Sequence, residues 1–181
     1  YCYCILGLMT LNRIMTFEGN YIDGLMVRKE SLYNMLRAKY YLQCIFLVIP
    51  FLFSLIPVCM GTIPLLMSIA YLCFTMGTIF AMMMQMAVYN NKTTDLNSKM
   101  TSRQNIGTGL QNLISGGAFG IPLLLLFALN AIFGKEVTPW ILIGIGVAFI
   151  ATSKFWLMNV YHRLMKRRYK NMEGFRDSRQ K

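Results

Sequence analysis

The sequence predicts an all-α polytopic membrane protein, a transmembrane helical bundle with about four complete spans after a truncated first span. Of its 181 residues, 56% are hydrophobic and only 14% are charged, and the mean hydropathy is +0.48. Soluble domains have about 45–50% apolar residues. Apolar runs of about 20 residues, long enough to cross a hydrocarbon core of roughly 30 Å, occupy most of the chain. We therefore interpret residues 1–181 as a single transmembrane domain.

The first element, residues 1–12, reads as the end of a span. It is apolar, and it has neither the positively charged leading segment nor the small-residue cleavage site of a signal peptide. The chain also begins at Tyr1 rather than at a methionine. We therefore expect this sequence to be the C-terminal part of a longer protein.

Four complete spans are predicted at residues 40–58, 64–89, 110–133 and 140–160, and none of them contains Asp or Glu. Pro64 and Pro139 lie where the second and fourth of these begin, and proline is tolerated in a first helical turn. Pro50 and Pro122 fall inside spans instead. Each removes one helical hydrogen bond, so we expect a kink at both positions.

The distribution of basic residues predicts the orientation of the chain. Of the 18 Lys and Arg residues, all but Lys135 and Lys154 lie before residue 40, in the 90–105 connector, or in the tail at residues 161–181. Positive residues near span ends are retained on the cytoplasmic side. We therefore predict an integral plasma membrane protein of the bacterial inner-membrane type with a cytoplasmic C terminus. The net charge of +11 then requires no nucleic-acid partner.

The tail is the most basic segment, with eight Lys and Arg residues against Glu173 and Asp177. A basic residue near an anionic leaflet contributes about 1 kcal/mol of binding free energy. We therefore predict that residues 161–181 bind the anionic headgroups of the lipid bilayer.

An amphipathic cytoplasmic loop at residues 15–39 precedes the first complete span. Its apolar residues recur at three- and four-residue steps, which indicates a helix with one apolar face. We expect an interfacial helix, a turn at Lys29-Glu30-Ser31, and then a span whose helix Ser31 caps. On the residues alone, this helix lies among the lipid headgroups.

The same loop resembles the first cytoplasmic loop of type-2 ABC exporter permeases. The resemblance rests on Glu18, Asp23-Gly24-Leu25-Met26, the turn Lys29-Glu30-Ser31, and Ala38-Lys39. The order of the spans also resembles the second through sixth spans of such a permease. This chain lacks the proline that the family usually has at the turn and the glycine before the lysine. Its connector at residues 134–138 is also shorter than the insertion that the family often has there.

The resemblance implies that the loop is a coupling helix that docks on a separate ATP-hydrolysing subunit. This chain would be the permease subunit of an exporter, working with an ATP-binding subunit and with a second permease half or a second copy of itself. ATP would bind to the partner, and the substrate is not implied. The implied docking residues are Asp23, Gly24, Leu25, Met26, Arg28, Lys29, Glu30 and Ser31.

A second candidate site lies in the 110–133 span. Gly116 and Gly120 fit the small-xxx-small pattern that lets membrane helices pack closely. With Pro122 beside them, they also fit a broken helix that lines a transport pathway. Both interpretations stay open.

Catalytic motifs are missing from the sequence. His162 is the single histidine, and neither a Gly-x-Ser-x-Gly motif nor a phosphate-binding Gly-x-x-x-x-Gly-Lys-Ser/Thr loop occurs. We therefore expect no catalytic residue, metal site or cofactor in this chain. The alternative to a permease is an integral membrane scaffold or assembly protein that transports nothing. A secondary transporter is disfavoured, because Lys154 is the only charged residue within the complete spans.

Overall fold

The computed structural model of the chain describes residues 29–90 and 109–179, together with Leu11 and Gly24. Within these residues every regular element is a helix and there is no strand, so the all-α prediction is confirmed for this part of the chain. A π-helical turn, Thr75–Ile79, joins α3 to α4. The α-helices are α1 (Lys29–Phe46), α2 (Val48–Cys59), α3 (Leu65–Phe74), α4 (Phe80–Met84), α5 (Met86–Tyr89), α6 (Gly109–Ala151), α7 (Ser153–Lys166) and α8 (Arg168–Arg179).

Three helical stretches in the described part are long and apolar enough to cross a membrane: Ser31–Cys59, Leu65–Tyr89 and Leu113–Ala151. The second stretch, which we call the central helix, matches the predicted span at residues 64–89 to within one residue. It contains 25 residues and is therefore about 37 Å long, enough for a hydrocarbon core of roughly 30 Å. These stretches agree with the prediction of a membrane protein.

The third stretch has 39 residues, which corresponds to about 58 Å of helix, nearly twice the hydrocarbon thickness. It is interrupted at Gly134, whose φ of 77° and ψ of 171° are not helical. Glycine adopts such a positive φ without the steric cost that a Cβ imposes. The break separates the segments that the sequence predicts as the last two spans. It is shorter than the expected connector, because the residues from Lys135 onward are already helical.

The expected turn at Lys29-Glu30-Ser31 is wrong. These residues form the first turn of α1, which continues without interruption to Phe46, so Ser31 does not cap a new helix. The apolar spacing explains the difference, because Leu32, Leu36 and Tyr40 recur every four residues and all three are buried. One buried face therefore runs from the end of the loop into the membrane span.

The two prolines at which a kink was expected, Pro50 and Pro122, behave differently. The regular helix is interrupted at Leu47, between α1 and α2, although the φ of −67° and ψ of −18° of Leu47 stay in the helical region. Pro50 has no N–H to donate to the carbonyl of Phe46, which accounts for the interruption. In α6 the backbone leaves helical geometry at Gly134 and not at Pro122, so the structure does not show the disruption expected at Pro122.

The central helix lies in the middle of the bundle. It packs against α2 and α6 through α3, against α6 through the π-helical turn, and against α7 through α4 and α5. Phe80, Met83 and Met84 on this helix are fully buried. Helices α2 and α6, by contrast, expose large apolar side chains such as Phe53 and Leu124 over much of their length, the surface that a membrane helix presents to lipid.

Candidate functional site: the π-helical turn of the central helix

The π-helical turn, Thr75–Ile79, is the irregular segment of the best-buried helix. Such turns place an extra residue in a helix, and they occur frequently at functional sites. In a hydrocarbon environment, altered backbone hydrogen bonding is tolerated where it is buried in protein. That condition is met here, since Thr75, Gly77 and Ile79 are all buried.

Two glycines bring the π-helical turn into backbone contact with the second half of α6. A Cβ built on Gly77 would overlap the carbonyl oxygen of Gly146. A Cβ built on Gly146 would lie 2.5 Å from the carbonyl carbon and oxygen of Cys73 and 2.7 Å from the nitrogen of Phe74. No larger residue fits at either position, and the two helices therefore touch through their main chains.

The sequence suggested close helix packing at Gly116 and Gly120 instead. A Cβ added to Gly116 or Gly120 would meet no atom of the described chain within 4 Å, so these glycines do not mark a contact between its described helices. The packing interpretation and the alternative of a transport pathway lined by Gly116, Gly120 and Pro122 therefore both stay predictions.

Sequence reasoning missed Gly77 and Gly146. Both glycines lie well inside apolar runs, and this position was the sequence signal that could have identified them. The spacing of small residues along one helix does not identify the facing helix, however, and Gly77 has no glycine four residues away.

Tyr40 connects α1 to the π-helical turn. Its hydroxyl donates a hydrogen bond to the carbonyl oxygen of Met76 over 3.3 Å, and the residue is only 3% exposed. Its ring meets the ring of Trp156 on α7 edge-on, with 5.2 Å between the ring centroids. A displacement of α1 would therefore act on two neighbouring helices at one point.

Two threonines of the π-helical turn differ in their hydrogen bonding. The Thr75 hydroxyl donates to the carbonyl of Tyr71 over 2.7 Å, the usual backbone partner one turn earlier. The Thr78 Oγ1 is buried and has no hydrogen-bond partner among the described residues. An unsatisfied buried hydroxyl costs about 1–3 kcal/mol. Thr78 is therefore a point of local energetic cost within the π-helical turn.

The residues implied to dock an ATPase are only partly described. Asp23, Leu25, Met26 and Arg28 lie outside the described residues. Gly24 is helical and exposed, while Lys29, Glu30 and Ser31 begin α1. The buried residues Leu32, Leu36 and Tyr40 connect that first turn to the π-helical turn along one helix face.

The basic tail is helical and packs against the end of the central helix. The Asn171 Nδ2 donates a hydrogen bond to the carbonyl oxygen of Val88 over 3.1 Å, at the end of the central helix. The Arg167 guanidinium lies over the Tyr89 ring, 4.7 Å from its centroid. Asn171 and Phe175 are both buried. Helix α8 is thus tied to the end of the central helix at Val88.

Among the residues that the structure describes, no group of three or more His, Cys, Asp or Glu side chains is arranged to hold a metal ion. Neither the comparison with curated proteins nor the comparison with solved structures found a match. The model of one family, DUF5687, matches residues 1–178. The chain therefore belongs to DUF5687, a family of unknown function.

Proposed function

We propose that this chain is the membrane-spanning permease subunit of an ABC-type exporter. Its amphipathic loop docks on a separate subunit that binds and hydrolyses ATP, and the bundle moves the substrate by alternating access. The observation that carries this proposal is the continuity of α1 from Lys29, at the end of the loop, to Tyr40, which contacts the π-helical turn. The resemblance of the loop to permease coupling helices supplies the identity of the partner.

A coupling element has to transmit displacement without bending. The stretch from Lys29 to Tyr40 is one uninterrupted helix, about 16 Å long. Its inner face is anchored by Leu32 and Leu36, both fully buried. A push on the loop is therefore transmitted to the Tyr40 hydroxyl and the Met76 carbonyl rather than absorbed by a flexible joint.

The receiving element has features that suit a switch. The π-helical turn contains a buried hydroxyl at Thr78 with no partner among the described residues, and a rearrangement that brought an acceptor within reach would remove that cost. Its closest contact with α6 is between main chains, at Gly77 and the carbonyl oxygen of Gly146, with the Phe149 Cβ beside it. A main-chain contact of this kind leaves fewer interlocking side chains to rearrange when one helix slides past the other.

The proposal requires an ATP-binding subunit and a second permease half or second copy, on a bacterial-type inner membrane with the loop and C terminus in the cytoplasm. To test it, the protein would be tagged, extracted gently from native membranes, and crosslinked with an amine-reactive reagent. We expect a nucleotide-binding subunit to copurify and to form crosslinks with Lys29. Lys135, beside the Gly134 break, is the matched control and should form none.

A different result identifies the alternative function. Recovery of a homo-oligomer without any ATPase, under conditions that preserve an ABC complex from the same membranes, would contradict the permease proposal. It would favour a membrane scaffold or assembly protein in which the loop at residues 15–39 only lies on the bilayer.

A further inference from the structure

The junction between α7 and α8 is a concentrated positive cluster. It contains Arg163, Lys166, Arg167, Arg168 and Lys170 within eight residues. The sequence has no Asp or Glu between Glu136 and Glu173, so no acidic residue of the same segment compensates these charges. A cluster of this kind favours an anionic ligand.

Contacts with the central helix fix the depth of this junction. Arg163 donates to the Gln85 side chain over 3.5 Å, Arg167 lies over the Tyr89 ring, and Asn171 is hydrogen-bonded to Val88. Tyr89 is the last residue of a helix about 7 Å longer than a hydrocarbon core of roughly 30 Å, so a membrane-spanning central helix would place Tyr89 at the headgroup region. The junction that contacts Tyr89 would then lie at the same depth.

The basic residues at the junction divide into two groups. Arg163 and Arg167 face the end of the central helix through the contacts above. Lys166 and Lys170 are exposed and are four residues apart, so they are neighbours on the helix surface. Arg167, which separates α7 from α8, has a φ of −98° and a ψ of 5°. Helical hydrogen bonding nevertheless continues across it, because the Arg167 N–H donates to the carbonyl of Arg163 and the Asn171 N–H donates to the carbonyl of Arg167.

Tyr169 completes the outward surface. It is 71% exposed, and it lies three residues after Lys166. The Arg168 guanidinium lies over its ring, 4.5 Å from the centroid, and Arg168 Nη2 donates to its hydroxyl over 2.6 Å. Arg168, which is half-buried, is thereby held at Tyr169, and Tyr169 is the helix-surface neighbour of Lys166. Tyrosine is itself enriched at the membrane–water interface.

We propose that Lys166, Arg168 and Lys170 bind the phosphate of an anionic phospholipid headgroup, with Tyr169 as the neighbouring interfacial side chain. The bound lipid neutralises the cluster and stabilises α8 against the end of the central helix. Lipid rather than free phosphate is the ligand because the site lies at headgroup depth and beside an exposed aromatic ring. The inference does not depend on the proposed transport function.

The test uses the full chain purified in a neutral detergent, with its unfolding temperature measured during titration with phosphatidylglycerol, phosphatidylcholine or inorganic phosphate. We expect a saturable rise with phosphatidylglycerol and none with the other two. Lys166→Gln, Arg168→Gln and Lys170→Gln together should weaken phosphatidylglycerol binding about a hundredfold, since each basic residue near an anionic surface contributes about fivefold. The charge-preserving set Lys166→Arg, Arg168→Lys and Lys170→Arg should retain most of the binding.

A matched single-charge pair controls for the general effect of net charge. Lys170→Gln should weaken binding about fivefold. Lys135→Gln, which removes one charge beside the Gly134 break, should change nothing. Equal loss in the two variants, equal stabilisation by phosphatidylcholine or inorganic phosphate, or unchanged binding in the triple variant would each overturn the proposal. If the triple glutamine variant fails to fold, the single pair decides alone.

Discussion

Gly77 and Gly146 are the residues on which the packing of the central helix against α6 depends most directly. Their would-be Cβ atoms fall on main-chain atoms of the opposite helix, and a main chain has no rotamer by which to move aside. Any side chain at these positions has to separate the two helices. Because this contact lies beside the π-helical turn, its effect reaches the candidate functional site.

We predict that Gly146→Ala destabilises the chain, whereas Gly144→Ala does not. The new methyl group at Gly146 overlaps Cys73, and such overpacking costs about 1–3 kcal/mol. At Gly144 a Cβ meets no described atom within 4 Å, so alanine should be neutral or should stabilise the helix by roughly 0.5–1 kcal/mol. Thermal unfolding of the two variants in the same detergent measures the difference. Equal unfolding temperatures would contradict the close contact.

The sequence indicated that small residues pack membrane helices, but it did not indicate which ones do so here. Gly116 and Gly120 have the familiar four-residue spacing and make no close helix contact in the described part of the chain. Gly77 and Gly146 lack a shared motif because they lie on different helices. Their pairing is a property of tertiary structure, which single-helix spacing does not encode.

At the scale of elements, α1 shows how a strong apolar repeat overrides a polar segment. The charged residues Lys29 and Glu30 and the polar Ser31 suggested a turn, yet the buried stripe of Leu32, Leu36 and Tyr40 continues the helix through them. Lys and Glu are in any case good helix formers, so no local preference opposes this outcome. The π-helical turn could not be predicted at all, because its residues carry no local signal for an extra residue in the helix.

Substitutions in helix α1 also give the sharpest test of coupling. They can separate binding of the ATP-binding partner from transmission of movement to the bundle. We predict that Asn34→Gly combined with Ala38→Gly leaves the ATP-binding partner bound but abolishes the response of its ATPase activity to the permease. Both residues are exposed, so neither change removes a buried contact. Glycine in place of Ala38 weakens the helix by roughly 0.5–1 kcal/mol, and glycine in place of Asn34 costs less because asparagine is itself a poor helix former. ATPase assays on the reconstituted complex measure the response.

Matched glycines on another helix control for this test. Lys154→Gly and Asn159→Gly are exposed positions of α7, outside the path from the loop to Tyr40, and they should leave the ATPase response intact. An unchanged response in the α1 variant would contradict transmission through α1. Loss of the partner itself would mean that α1 shapes the docking surface directly.

At the scale of the whole molecule, composition was sufficient to predict a helical membrane protein. The described part contains three stretches able to cross a membrane. Helix α6 is longer than one crossing needs and is broken at Gly134, so the predicted number of crossings depends on this one residue. The sequence placed a connector at residues 134–138, where proline and charge occur together, but it could not show that one glycine suffices to end a helix.

The predicted topology places Lys135 outside and Tyr169 inside the cell. We expect Lys135→Cys to react with a membrane-impermeant thiol reagent in intact cells, and Tyr169→Cys to react only after the membrane is permeabilised. Both substitutions would be made after replacing the native cysteines, since Cys59 is exposed and free. Both sites are surface positions, so the folded bundle should tolerate them. The reverse labelling pattern would invert the topology, and labelling of both sites in intact cells would contradict two crossings by α6.

The break at Gly134 has a practical consequence for future work on this protein. The seven residues around it, 131–137, are all exposed, so additional chain inserted after Gly134 would displace no packed side chain. An epitope placed there could be bound by an antibody, and a small rigid domain placed there would itself project from the detergent micelle that covers most of the protein. Electron cryomicroscopy of small membrane proteins needs such a fiducial, and this position offers one without altering the central helix.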